Sequence, residues 1–470
     1  MDEGTPHAYL SLDNKPVLAI SCSMPYLFFA DSTVFNFKQW VKQQKQLGIT
    51  HITVPIPLNW QNIESYTIAH GGKVEKCIFP YYETQRLSRK FDLSRFNSLW
   101  WMRLRHYCQY LSEQGFIIQI ELWDGRQLNR PQSAEKQEIS WNGNFFNPIN
   151  NTDSFTINLD NERCTEIYHS YFDDNLRLAS LQEHLFRKVL ESTFDIGTVY
   201  YDLCYQIAEN QGDWEKTKVW IDESVDAMRS VWRRLNTARQ FIIGIDAGKL
   251  SEYQQSWIFD NKKLNVMINS DVDVQSQVLH WKKLYLKPYC STFLTENKTE
   301  STNIELADSY QFRNTLWYNS FILNQLTWIN STTTTFDLNE NWLSLPANKQ
   351  YIADLDHWQT FWNQFVNYTE LDFQGRISAQ KSKIKLVQSS VNESALFLSA
   401  GLSNADKVIK AERISIDKTL LENGSYTAEF WDPLLGVIDN QDVTVNQGEF
   451  KLNIPEYNGC IAVRLFKQKQ

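Results

Sequence analysis

The stretch Thr198–Asp213, TVYYDLCYQIAENQGD, holds the residues best placed to do chemistry. It reads as a buried strand, Thr198–Cys204, that runs into a loop before a long helix opening at Trp214. In a parallel α/β barrel, the C-terminal ends of the strands carry the functional groups. Here that end supplies Tyr205, Gln206 and Glu209. Other strand ends supply Trp123, Asp124 and Arg126 after the third strand, Asp246 after the fifth and Asp271 after the sixth. Thr292, Phe293 and Glu296 lie at or beyond the seventh. Trp141, Asn142, Asn147 and Asn151 belong to a long loop after the third strand. Acids transfer protons, amides both donate to and accept from hydroxyls, and flat aromatic faces match the apolar faces of pyranose rings. The set suits a neutral polyhydroxylated ligand, an oligo- or polysaccharide. Core burial is still the commoner role for any single aromatic among the 17 Trp and 21 Tyr residues.

Other chemistries lack their signatures. No Gly-rich phosphate loop, basic cluster, His cluster or CxxC pair is present, so neither a cofactor nor a metal is expected. The net charge of −9 comes from interspersed residues, which argues against a nucleic-acid surface. No apolar run is long enough to span a membrane. The N-terminal MDEGTPHAYL has no basic region followed by an apolar segment, so no signal peptide is read there. Seven scattered cysteines without a pairing pattern lean toward a reducing, cytoplasmic compartment. A processed secreted form stays open, and oligomeric state is not legible.

Eight short apolar runs must position these groups: one within Lys15–Phe29, then His51–Leu58, Phe116–Asp124, Thr198–Cys204, Phe241–Asp246, Asn265–Asp271, Lys287–Phe293 and Leu326–Asn330. Helical patterns alternate with them: Val34–Leu47, a helix from Asp92 or Ser94 to Gln114, Leu176–Phe194, Trp214–Asn236, Glu252–Phe259, Ser276–Leu286, Tyr310–Leu323 and His357–Tyr368. Continuous apolar strands alternating with helices call for a parallel sheet buried on both faces. Eight repeats predict a (β/α)8 TIM barrel. After about Asp372 the chain turns to short alternating segments broken by turns such as Asn423-Gly424 and Asp432-Pro433, which predicts a small antiparallel β-sandwich. The expected division is residues 1–372 for the barrel and 373–470 for the sandwich.

The run from Asp92 to Ala227 resembles a clan of retaining glycoside hydrolases with the (β/α)8 fold, the broad cellulase-like clan, and in particular its bacterial members with a C-terminal sandwich. The resemblance rests on Ile120–Asp124, Trp141 with Asn147–Asn151, Leu181–Glu183, the fourth strand, and Trp214 at the following helix. Gly424–Gly436, GSYTAEFWDPLLG, resembles the accessory sandwich of such proteins. In that clan the fourth strand ends in Asn-Glu, the Glu serving as general acid/base, and the nucleophile ends the seventh. Here Tyr205 stands at the Asn position and Gln206 at the Glu position, and KPYCSTF offers no carboxylate before Glu296. A glutamine can hold a glycosidic oxygen but has no titrating proton to give it. Retaining hydrolysis needs two carboxyl groups about 5–5.5 Å apart.

Three readings follow. The first is a glycoside-hydrolase-like protein that binds carbohydrate at the C-terminal face of the barrel, with the retaining machinery degenerate. The second is an active glycosidase using displaced carboxylates, for which Glu209 and Glu296 are the candidates. The third is a structural or assembly protein on a barrel scaffold.

Overall fold

A computed structural model of the chain describes residues 11–468, apart from 30–35, 129–140, 156–163, 270–280, 292–308, 330–345 and runs of five residues or fewer, 208–211 among them. Eight parallel strands close into a barrel: β1 Ala19–Ser23, β2 His51–Pro55, β3 Ile117–Glu121, β4 Val199–Asp202, β5 Ile243–Asp246, β6 Val266–Asn269, β7 Tyr289–Ser291 and β8 Leu326–Ile329. Each strand pairs with its neighbour in sequence, and β8 closes on β1 with Leu326 opposite Ala19. All eight lie within the apolar runs expected to form them.

The helices pack outside: α1 Phe37–Gln46, α2 Trp60–Ala69, α3 Ser98–Glu113, α4 Leu176–Thr193, α5 Trp214–Arg234, α6 Glu252–Asp260, α7 Ser309–Phe321 and α8 Pro346–Asn363. Their starts are chemically marked. Asn36, Asn97, Asn175, Asp213 and Ser251 each accept a backbone N–H of the first turn, which satisfies donors a helix leaves open. Gly48, at φ 72, follows α1 where the chain needs a left-handed residue. No described helix is long and apolar enough to cross a membrane.

The segment between β2 and α3 departs from the sequence reading. The pattern of residue types predicts a long loop to Phe91 followed by a helix from Asp92 or Ser94. The structure instead contains α2 and an antiparallel hairpin, Tyr81–Gln85 with Lys90–Phe96. Phe91 and Leu93 alternate into the core while Asp92 and Ser94 do not, a strand period. Asp92 caps only a local turn, accepting from Ser94, and the true helix cap is Asn97. The expected helix Ser276–Leu286 falls mostly outside the described residues.

Beyond α8 lies a sandwich of two antiparallel sheets. One has five strands in the order Ile384–Ser389, Glu393–Ser399, Cys460–Lys467, Gly424–Asp432 and Gly436–Val445. The other has three, Arg376–Ser378, Glu412–Asp417 and Phe450–Ile454. The five-stranded sheet is covered on both faces. Leu396, Leu398, Phe430 and Val463 join the core between the sheets, whereas Ala395, Phe397, Trp431 and Ala462 join the barrel's core. Phe397 packs on Phe321 at 5.3 Å, and Trp431 meets Phe361 edge-on at 5.7 Å. The sandwich therefore shares a hydrophobic layer with α7 and α8.

Candidate functional site

Side chains alternate across a barrel strand, so every second residue points inward. Three neighbouring strands place polar residues at those inward positions. In register, Gln119 of β3 faces Tyr200 of β4, Glu121 faces Asp202, and Asp202 also faces Gly244 of β5. Barrel interiors are normally filled by branched apolar side chains. This one is crossed by a hydrogen-bond chain. Ser21 Oγ lies 2.6 Å from His51 Nδ1, and His51 Nε2 lies 3.0 Å from the Tyr200 hydroxyl. Tyr200 donates to Gln119 Oε1 at 2.7 Å, and Gln119 Nε2 donates to Asp202 Oδ2 at 3.1 Å. Because Tyr200 gives its proton to Gln119, His51 presents Nε2–H to Tyr200 and accepts from Ser21 at Nδ1. Burial lowers the imidazole pKa to about 3, which keeps it neutral.

At the mouth end the chain meets acids. Burial pushes the Glu121 carboxyl well above the usual carboxylate range, and the charges of Asp202 and Asp124 push the same way against a smaller opposing effect of Arg126. Burial also raises Asp202, with Asp246 as the next contributor. Two carboxyls in one dry site cannot both ionise cheaply. Asp246 is committed to the backbone, accepting from Gln206 N at 3.0 Å and Gly248 N at 2.8 Å.

Tyr205 and Gln206 lie above these acids. Tyr205 continues the β3–β4 ladder as a bridge to Asp124, with its N–H on Trp123 O and its C=O accepting from Gly125 N, both at 2.9 Å. Gln206 then turns into the left-handed region at φ 49 and is only 4% exposed. Its Nε2 donates to the Tyr205 hydroxyl at 2.9 Å. Arg126 lies over the Tyr205 ring at 4.8 Å and holds Asp124 through Nε at 3.0 Å and Nη2 at 2.7 Å. The structure thus brings Asp124, Arg126, Tyr205, Gln206 and Asp246 together beside Trp123, which is buried against Phe146 at 5.0 Å.

The loop residues behave differently. Trp141 is 2% exposed. Asn147 donates to Trp141 O and accepts from Ile149 N, and Asn151 donates to Phe145 O and Asn147 O while accepting from Asp153 N. Both amides therefore shape their own loop, while Asn142 is exposed. Glu209, Asp271, Thr292, Phe293 and Glu296 lie outside the described residues. Among the described residues, no group of three or more His, Cys, Asp or Glu is arranged to hold a metal ion.

Glu121, Asp202, Gln119, Tyr200 and His51 are not singled out by the sequence reading. The signal is nevertheless there: HITVP, IIQIE and VYYD each carry polar residues two apart within apolar strands.

No family model matches the chain, and no curated protein matches it. Solved structures do. One described as a glycoside hydrolase is 8% identical, with a TM-score of 0.61, and the match covers 99% of this chain and 96% of that one. A glycoside hydrolase family 5 structure from Bacteroides vulgatus is 9% identical, with a TM-score of 0.59 and 99% and 94% coverage. A putative glycoside hydrolase from the same organism is 11% identical, with a TM-score of 0.58 and 99% and 81% coverage. Over nearly its whole length, barrel and sandwich together, this chain has the fold of these glycoside hydrolase structures.

Proposed function

We propose that the protein recognises an oligo- or polysaccharide at the C-terminal face of the barrel without retaining double displacement. The observation that carries this reading is Gln206. It stands four residues past β4, its backbone held by Asp246 and its side-chain amide held by Tyr205. An amide there can accept from or donate to a sugar oxygen but delivers no proton to a leaving group. Arg126, part-exposed and bound to Asp124, is the polar group beside it that a ligand hydroxyl meets in this reading, with Asn142, exposed on the long loop, as a second polar contact. Calorimetric titration against a glycan panel, run beside a hydrolysis screen on aryl glycosides, tests the reading. Saturable binding without turnover is expected. Turnover of any glycoside, or no binding across the panel, overturns it.

One observation favours a second reading, an active glycosidase with displaced acids. Burial, with the charges of Asp202 and Asp124, pushes the Glu121 carboxyl up, the direction a general acid requires. If the hydrolysis screen yields turnover, Glu121→Gln separates the cases. Lost activity assigns the proton to Glu121, and retained activity leaves Glu209 and Glu296 as the candidates.

A further inference from the structure

Helix α6 carries two aromatic and two polar residues on one outer side. Tyr253, Ser256, Trp257 and Asp260 are spaced i, i+3, i+4, i+7 and so lie on one side of the helix. They line an open groove of about 430 Å3, whose opposite bank is Leu284 and Tyr285. Tyr253 is 65% exposed and Leu284 56%, while Trp257 and Tyr285 are half-buried. Trp257 is braced from beneath by Trp214, edge-on at 5.6 Å, and Lys218 lies 5.9 Å from its ring. Phe259 supports Tyr285 at 6.2 Å. The half-buried rings of Trp257 and Tyr285 are thus packed against neighbouring aromatics, while Tyr253 projects into solvent.

We propose that this groove is a second carbohydrate site, taking a short stretch of a neutral polysaccharide chain. The volume falls in the range of small-ligand sites, about 300–1,000 Å3. Chemistry points to sugar. Tyr253 and Trp257 stand about 6 Å apart along the helix axis, close to the repeat of a hexopyranose chain, and the Ser256 hydroxyl and Asp260 carboxylate alternate with them as hydroxyl partners. The carboxylate of Asp260 already holds Lys262 at 3.1 Å, so the rim carries both signs and favours no strongly charged ligand. The helix opens at Glu252, six residues after Asp246, so its first turn follows the C-terminal end of β5. The groove nevertheless binds on its own account, whether or not the mouth does.

Native affinity electrophoresis of the full-length chain in gels containing barley β-glucan, glucomannan, xylan or hydroxyethylcellulose tests this. The wild type is expected to be retarded by at least one of the four. Tyr253→Ala and Trp257→Ala should each weaken that retardation roughly fivefold or more. Tyr253→Ala keeps the test sound if Trp257→Ala unfolds, because Tyr253 is mostly exposed. Arg126→Ala reports on the mouth instead, and should leave groove retardation intact while lowering the calorimetric stoichiometry for short oligosaccharides from two sites to one. Retardation of none of the four, or equal retardation of wild type and Tyr253→Ala, overturns the proposal. So does a concentration-dependent dimer that Tyr253→Ala converts to monomer, which would make the groove a contact between copies. Retardation lost in Arg126→Ala and kept in Tyr253→Ala overturns the groove while leaving the mouth reading standing.

Discussion

The backbone N–H of Gln206 donates to Oδ2 of Asp246 at 3.0 Å, across 40 residues of sequence. The other oxygen of the same carboxylate accepts from Gly248 N at 2.8 Å. One fully buried side chain at the end of β5 therefore fixes both its own turn and the tip of β4. An asparagine offers a single acceptor oxygen, so Asp246→Asn must leave one buried N–H unpaired. The expected loss is about 1–3 kcal/mol, read by urea unfolding. Hydrogen exchange at Gln206 or Gly248 should accelerate, and unchanged exchange at both would contradict this role.

Gly125 meets the same loop from the other side. A Cβ there would lie 2.3 Å from the Gln206 carbonyl oxygen, a backbone atom that cannot swing away. Gly125→Ala should therefore cost about 1–3 kcal/mol. Gly197, just before β4, is different: a Cβ at that position would meet nothing within 4 Å, and its φ is ordinary. Gly197→Ala should be neutral or stabilise by up to about 1 kcal/mol through the unfolded chain. Thermal melts of the two variants side by side check the contrast.

Glu121 predicts a pH dependence. Its folded pKa is raised above the unfolded value, first by burial and then by Asp202 and Asp124. The folded chain thus holds a proton that the unfolded chain releases. This group's contribution is complete below the ordinary carboxylate pKa of about 4.3 and is lost as pH rises. Glu121→Gln has no proton to lose. Its stability relative to wild type should improve by about 1.4 kcal/mol per pH unit above that point, until the folded pKa is passed. Urea midpoints at pH 5, 6 and 7 would show a constant offset if the carboxyl were unperturbed.

The barrel was legible because each strand is a continuous apolar run and pairing follows chain order, so no long-range choice had to be made. The hairpin before α3 was not, because Asp92 and Ser94 mimic a helix cap in composition. Only the pairing of Lys90–Phe96 with Tyr81–Gln85 decides between strand and helix. At the site, Tyr205 and Gln206 were legible as strand-end residues. The tie from Gln206 to Asp246 was not, since neither residue type encodes a partner 40 positions away. The inward acids were visible only as a period of two within apolar strands, a pattern that gains meaning once closure of the barrel puts Glu121 opposite Asp202.

Arg464 clasps the sandwich to the end of α8. Its Nη2 donates to Gln364 O at 2.6 Å and to Glu393 Oε1 at 3.2 Å, and Nη1 donates to Gln364 Oε1 at 3.0 Å. Glu393 in turn accepts from Val366 N at 2.9 Å. Arg464→Met removes the cation and leaves a largely buried Glu393 with a backbone donor alone. Breaking one side of such a pair costs about 3–5 kcal/mol. Replacing Glu393 by Gln in the same chain should recover part of it. If the division at 372/373 marks independent units, Arg464→Met should split the unfolding transition in calorimetry. The shared layer of Phe321, Phe361, Phe397 and Trp431 predicts one transition, moved to lower temperature.

His51 tests the interior chain from the acid side. Its folded pKa is lowered to about 3 by burial, against about 6.5 in the unfolded chain. The unfolded state therefore takes up a proton first as pH falls. The stability this neutral imidazole contributes is complete above about pH 6.5 and drains between there and about 3, by about 1.4 kcal/mol per unit. Glu121 and Asp202 act with the opposite sign at low pH, so the wild-type curve alone mixes the two effects. The difference between wild type and His51→Gln isolates the imidazole, since Gln keeps a donor and an acceptor for Tyr200 and Ser21 without titrating. His51→Gln should be the less stable protein at pH 7 and lose that deficit progressively by pH 4. Parallel curves would mean that the ring is solvated in the folded protein and that the chain from Ser21 to Asp202 does not form.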